Sequence, residues 1–147
     1  MRKSTIYFLA SFALISLVWL TACERIFSDT EKDTVLAFSE PTTDNLFTGL
    51  AANDYEVFSV DFDGDIEENM PAATFAAMKE DLNDNLGKYL SRSVDQVIQS
   101  DEFYVVDYQA RFEQSKMVKI TVAFHALDQS IAGFSIDSEK VSWSTFR

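Results

Sequence analysis

Cysteine occurs once in the 147 residues, at position 23, and histidine once, at position 125. A lone cysteine excludes an intrachain disulfide, and no group of histidines, cysteines and carboxylates stands at metal-ligand spacing. Basic residues are scarce as well, with 12 Lys and Arg against 24 Asp and Glu, a formal charge of −12. Nucleic-acid binding needs clustered Lys and Arg to neutralise phosphate, so that partner is excluded, as is adhesion to anionic lipid by charge. After residue 22 no apolar run approaches the ~20 residues with which a helix crosses a bilayer. No side chains have the spacing of a catalytic centre, and no cofactor is implied.

What the N-terminus does have is an order of parts. Met1-Arg2-Lys3 is positive, Ile6 through Leu20 is apolar except for Ser11 and Ser16, and Leu20-Thr21-Ala22-Cys23 brings small residues up to the cysteine. Charge, short apolar core and small-residue cleavage region make a secretory signal, which is removed in the mature protein. The last four residues resemble the lipobox of prokaryotic lipoproteins. That resemblance implies a diacylglyceryl group on the Cys23 thiol, cleavage just before it, and an exported protein held at a membrane by lipid, with inner or outer membrane left open. Two or three acyl chains anchor stably where one binds only marginally. Removing 22 residues leaves 125 of the 147, enough for one domain. It also takes Arg2 and Lys3 and no acid, so the mature chain carries 10 basic and 24 acidic residues, a charge of −14. With no positive charge to spare, the lipid must do the holding. The expected organisation is therefore a signal at 1–22, a tether at 23–30 and a single domain at 31–147.

Helical patterns come first in that domain. Ser28-Asp29-Thr30-Glu31 has the spacing of a reciprocal helix cap, and a helix is expected from about Asp29 to Ser39. Pro41 is expected to interrupt it, with Thr42 or Thr43 capping a second piece that carries Leu46, Phe47, Leu50 and Ala51 and ends near Asn53. Pro71 suits the first turn of a further helix, in which Phe75, Met78, Leu82 and Leu86 fall three and four apart and Gly87 stands at the cap.

From Lys88 the period changes to two. Leu90, Val94 and Ile98 suggest a first strand between Tyr89 and Gln99. Tyr104, Val106, Tyr108, Ala110 and Phe112 form the apolar side of a second, and Val118, Ile120, Val122, Phe124 and Ala126 that of a third. Ala132, Phe134 and Ile136 continue it in a fourth. Short connections at 114–116 and 128–130 make these strands an antiparallel meander, with Ala110 expected opposite Ile120 and Val122 opposite Ile136. The fold class expected is α+β, N-terminal helices packed on a four-stranded antiparallel sheet.

Several stretches carry a family likeness: Gly49-Leu50-Ala51-Ala52-Asn53-Asp54-Tyr55, Met70-Pro71, Leu86-Gly87-Lys88-Tyr89, Tyr108-Gln109-Ala110-Arg111-Phe112-Glu113 and Ile131-Ala132-Gly133-Phe134. In this order, over roughly residues 34 to 140, they resemble an uncharacterised prokaryotic family of secreted and lipid-anchored domains. That family is similar in fold to nuclear transport factor 2 and to SnoaL-like polyketide cyclases. The resemblance implies a curved sheet wrapped round helices, a cone whose inside is either packed or open as a pocket. Enzymes of that superfamily place an acid or a His–Asp pair inside the cone. Here the inward positions are apolar or tyrosine, and His125 has the parity of the outer face.

Three candidate sites follow. Tyr104, Tyr108, Phe124 and Phe134 make the inner face aromatic; tyrosine hydroxyls need partners when buried, so these residues mark either core or a pocket for an apolar or amphipathic ligand. On the outer face Asp107, Arg111, Lys119 and His125 would line a docking or dimerisation surface, and His125 beside Asp107 would suit a general base. Asp61, Asp63 and Asp65 alternate like early calcium ligands, but Gly64 falls two places early and Ala72 stands where the closing Glu belongs, which excludes an EF-hand and leaves either a looser cation site or a solvated acidic turn before the Pro71 helix. The leading expectation is a non-enzymatic, membrane-tethered domain binding a small ligand or an envelope protein. An interaction module on the outer face comes second, and an enzyme using Asp107 and His125 third.

Overall fold

A reciprocal cap starts the first helix. In a computed structural model that describes residues 28–100 and 102–146, the Ser28 hydroxyl accepts from the Glu31 N–H while the Glu31 carboxylate accepts from the Ser28 N–H at 3.0 Å. Helix α1 thus begins at Asp29, inside the stretch expected as tether. The expected signal, cleavage site and lipid on Cys23 lie outside the described residues. Helix α1 then runs unbroken from Asp29 to Ala52, so Pro41 does not divide it as its chemistry suggests. Side chains bond carbonyls on both sides of the proline: Thr42 Oγ1 donates to the Phe38 carbonyl at 2.9 Å and Arg92 Nη2 to the Glu40 carbonyl at 3.2 Å. The ring itself is exposed, and tertiary packing of the buried face holds the helix through it.

Two short helices, α2 (Tyr55–Ser59) and α3 (Gly64–Asn69), are capped by Asp54 and Asp63. Helix α4 (Ala72–Leu86) follows Pro71 as expected, and all four of its periodic residues are buried. Gly87 ends it at φ 74°, where a side chain would be strained and a Cβ would sit 2.9 Å from Glu113 Cβ.

After the helices comes one antiparallel sheet of five strands in the order β1-β2-β3-β4-β5. They are β1 (Tyr89–Ser100), β2 (Phe103–Phe112), β3 (Ser115–His125), β4 (Ile131–Asp137) and β5 (Ser142–Ser144). The alternation places the expected residues inside: Val106, Tyr108, Ala110, Phe112, Val118, Ile120, Val122, Phe124, Phe134 and Ile136 are all buried. The pairing, however, is two residues away from that expected. Ala110 faces Val118 and Tyr108 faces Ile120; Val122 faces Phe134 and Ile120 faces Ile136. A two-residue slip keeps every side chain on its face, so the apolar pattern does not distinguish the two registers. The turn geometry does, because the β2–β3 connection is the two residues Glu113-Gln114 with a bulge between Ala110 and Phe112.

Strand β1 departs further from its pattern. Bulges after Tyr89 and Val94 shift its parity, so Leu90 is 57 % exposed and Ile98 falls opposite Val105, while Arg92, opposite Ala110, keeps the inward parity of Val94 and has its side chain only 8 % exposed. The fifth strand, absent from the expected sheet of four, is three residues long. Trp143 pairs with Ile136 and donates its indole N–H to Asp81 of α4 at 2.6 Å, closing the sheet's far edge onto the helix.

One glycine carries a sharp constraint. A Cβ on Gly49, inside α1, would lie 2.3 Å from the Phe58 nitrogen and 2.7 Å from the Asp54 carbonyl oxygen, where α2 crosses. Alanine is intrinsically the better helix residue by about 1 kcal/mol, yet Gly49→Ala is expected to destabilise by about 2 kcal/mol or more, because backbone rather than a yielding side chain meets it. Urea denaturation of the variant checks the sign.

Candidate functional site

The inner face holds a charged cluster that the apolar pattern does not announce. Arg92 reaches from β1 under α1, where Nη1 donates to Asp44 Oδ1 at 2.8 Å and Nη2 lies 3.6 Å from Glu40 Oε2. Its guanidinium lies 5.1 Å from the centre of the Tyr108 ring and 5.8 Å from that of Phe47. Burial by itself would lower the pKa of Arg92, but the bond to Tyr89, the bond to Asp44 and the charge of Glu40 outweigh it and hold the cation above its ordinary value. Next to it the Tyr108 hydroxyl and Thr43 Oγ1 are 3.1 Å apart. Ser39 Oγ, Glu40 Oε1 and Arg92 Nε are buried with no hydrogen-bond partner among the described residues. A sequence signal for this cluster exists in Glu40 and Asp44, which stand four apart on one face of α1 and together suit a single cation.

The aromatic residues expected to line a pocket divide. Tyr108, Phe124 and Phe134 are fully buried core; Phe134 meets the Phe58 ring edge-on and lies stacked with Phe62. Only Tyr104 reaches a hollow, a groove of about 550 Å³ that it forms with Val35 and Phe38 of α1 and with Ala126 and Gln129 beyond β3.

The hollow between the sheet and α4 lies at the opposite end and has other walls. It measures about 350 Å³ and is bounded by the last turn of α1, the second half of α4 and the paired ends of β1 and β2. Leu50, Leu82, Tyr89 and Phe112 supply its apolar lining, and Lys79 and Lys88 its charged side chains, with Glu113. Lys79 Nζ donates to the Leu50 carbonyl at 2.7 Å, tying α4 to the end of α1. Glu113 Oε2 accepts from the Lys88 N–H at 3.0 Å, fixing the rim. The Tyr89 ring stacks on Phe47 at 4.5 Å and meets Phe112 edge-on, so the wall facing the hollow is held from behind by the same residues that surround Arg92.

On the outer face the four residues grouped by sequence do not form one site. Asp107 is buried and faces Thr121 across the sheet; it accepts from Gln96 at 2.6 Å and from Thr121, and pairs with Lys119 at 3.0 Å. Burial alone would raise its pKa, but these three partners pull it below the ordinary carboxylate value. Arg111 is exposed near the end of β2. His125 is not beside Asp107: it lies opposite Phe103, its ring 5.1 Å from the Phe103 ring, and Nε2 is 2.8 Å from Asp63 Oδ2. Asp63 also accepts the Ile66 N–H at 2.8 Å, capping α3. A small hollow of about 210 Å³ adjoins this pair. Of the other acids in the turn, Asp61 accepts from Asn45, and no three His, Cys, Asp or Glu converge to hold a metal ion among the described residues. No helix among them is long and apolar enough to cross a membrane.

Among known proteins, the model of a family described as "Protein of unknown function (DUF3887)" matches residues 43–134. No curated protein and no solved structure matches the chain significantly. The matched span takes in the end of α1, all of α4 and β1 to β3, and with them Asp44, Arg92 and the whole lining of the hollow between α4 and the sheet.

Burial pushes the Tyr108 hydroxyl up to about 12, with the Glu40 charge adding to the rise and the Thr43 bond and Arg92 opposing it. The folded protein therefore keeps this proton at pH values where the unfolded chain, at about 10, has released it. Stability should be unaffected by this group below pH 10 and fall as pH rises from about 10 to about 12, by on the order of 2 kcal/mol. Denaturant midpoints at pH 9 and pH 11 check this, and Tyr108→Phe should lose that part of the slope.

Proposed function

Since the chain belongs to the DUF3887 family, whose function is unknown, we propose from its geometry that it is a lipid-anchored, non-enzymatic domain that binds a small apolar or amphipathic molecule in the cell envelope. The observation that carries the proposal is the hollow of about 350 Å³ between α4, the end of α1 and the β1–β2 edge. Ligand sites are concave, mostly apolar and equipped with a few fixed polar groups, and run from about 300 Å³ upward. This hollow has that make-up, with Leu50, Leu82, Tyr89 and Phe112 for the apolar part and Lys79, Lys88 and Glu113 for the polar part. Helices first and an antiparallel sheet afterwards agree with a fold like that of nuclear transport factor 2, in which the space between helices and sheet is where ligands go.

Anchoring rests on the lipobox-like Leu20-Thr21-Ala22-Cys23 after an apolar run, with the capped start of α1 following shortly after. The non-enzymatic part rests on the separation of the residues that acid–base chemistry would use. Asp107 is engaged with Gln96, Thr121 and Lys119, and His125 is tied to a carboxylate already serving as the cap of α3. In this reading the His125–Asp63 pair is a structural link between α3 and the end of β3.

The protein purified from its own membranes under mild detergent should retain a small molecule detectable by native mass spectrometry. Ala51 is exposed at the mouth of the hollow, and Ala51→Trp should fill that space and emerge empty, with its stability changed by no more than about 0.5 kcal/mol. An adduct that survives the substitution places binding elsewhere. Its absence from both proteins favours the interaction module instead.

A further inference from the structure

Leu127, at 97 %, is the most exposed large apolar side chain among the described residues. It stands in the β3–β4 turn, and that turn is well held. The Gln129 N–H bonds the His125 carbonyl at 2.9 Å, and Asp128 Oδ1 accepts from the Ser130 N–H and hydroxyl at 3.1 and 2.7 Å. Gln129 adopts φ 64° to complete it. Single exposed apolar residues are common on protein surfaces and call for no explanation; the position of this one does. Ala126 and Gln129, on either side of it, share the groove with Glu31 and Thr34 from the first turns of α1, so Leu127 projects from the end of the domain at which the chain enters. Phe146, 43 % exposed, shares the hollow beside His125 at the same end.

From Cys23 to the cap residue Ser28 is five residues, which span at most about 17 Å in any conformation. A lipid on Cys23 therefore holds this end within that distance of the bilayer surface. The charges there, Asp29, Asp33, Glu102 and Asp128 against the half-exposed Lys32, give no net attraction to anionic headgroups, whereas an apolar tip is accommodated by an uncharged or zwitterionic interface. We infer that this end of the domain rests on a zwitterionic bilayer surface with Leu127 seated among the headgroups. The inference rests on the anchoring part of the proposed function and adds an orientation to it. Helix α1, 24 residues long, extends about 36 Å away from its start, so the hollow at its far end opens to the aqueous side and takes its ligand from there.

The test uses the full chain, processed in cells and reconstituted into phosphatidylcholine vesicles, with Leu127→Cys or Met117→Cys carrying an environment-sensitive nitrobenzoxadiazole label. Met117, 80 % exposed at the start of β3, is the control from the opposite end. On vesicles the label at 127 should shift its emission to the blue and be quenched by lipids bearing a nitroxide in the headgroup, and the label at 117 should do neither. Equal, water-like emission from both positions overturns the orientation while leaving the anchor intact. Labelling of Cys23 itself in the wild-type protein, together with failure to float with the vesicles, overturns the anchor and the orientation together.

Discussion

One guanidinium, that of Arg92, decides how the first helix sits on the sheet. Its two ion-pair partners, Glu40 and Asp44, are successive turns of α1, its hydrogen bond to the Glu40 carbonyl lies beside Pro41, and its faces meet Tyr108 and Phe47. Removing a charge from water costs several kcal/mol, and replacing such a pair by apolar residues is often neutral for stability. What the arrangement supplies is therefore position: apolar side chains tolerate sliding by a turn, whereas a bidentate cation between two carboxylates does not. The consequence reaches the far end of α1, because Phe47 also stacks on Tyr89, and Tyr89 is a wall of the hollow between α4 and the sheet.

How much of this was legible in the sequence follows from what periodicity encodes. A period of two gives the face of each strand residue, and the faces of β2 and β3 are as expected; it says nothing of a two-residue slip, and there the expected pairs differ from the observed ones. The capping box at Ser28, the buried stripe of α4 and the turn at Gly87 were readable because each depends on neighbours in sequence. Pro41 misleads because its local penalty falls on the exposed side of α1, at Pro41 and the Ala37 carbonyl four residues back, while packing of the opposite, buried face holds the helix through it. The cluster itself was hidden by residue type and not by spacing: Arg92 shares the inward parity of Val94, but a charge among apolar positions says nothing of the partners on α1 that hold it.

The candidate site shows the same division. Residue types on the inner face indicated aromatic packing, and three of the four rings chosen are core. Where a packed face ends and a hollow begins depends on how helices meet strand ends, and that is set by Gly49, Gly87 and the Lys79 bond to the Leu50 carbonyl. The alternation places His125 diagonally near Asp107 only if β2 and β3 pair two residues away from the observed register, in which His125 faces Phe103 and Asp107 faces Thr121. The actual partner of His125, Asp63, comes from a short helix whose packing against β4, through the bridge of Phe62 to Ile131, no strand pattern describes.

The account that emerges is of a domain with two unlike ends. One carries the chain's entry, an acidic surface and an exposed leucine; the other carries the apolar hollow, with lysines at its edge. The most direct test of the claim that the second end is the working one is an experimentally determined structure of the protein as isolated from its own membranes. Our account predicts density for a bound molecule against Tyr89, Phe112, Leu50 and Leu82. A molecule lodged in the groove beside Tyr104, or a hollow closed by the side chains that line it, would contradict the account.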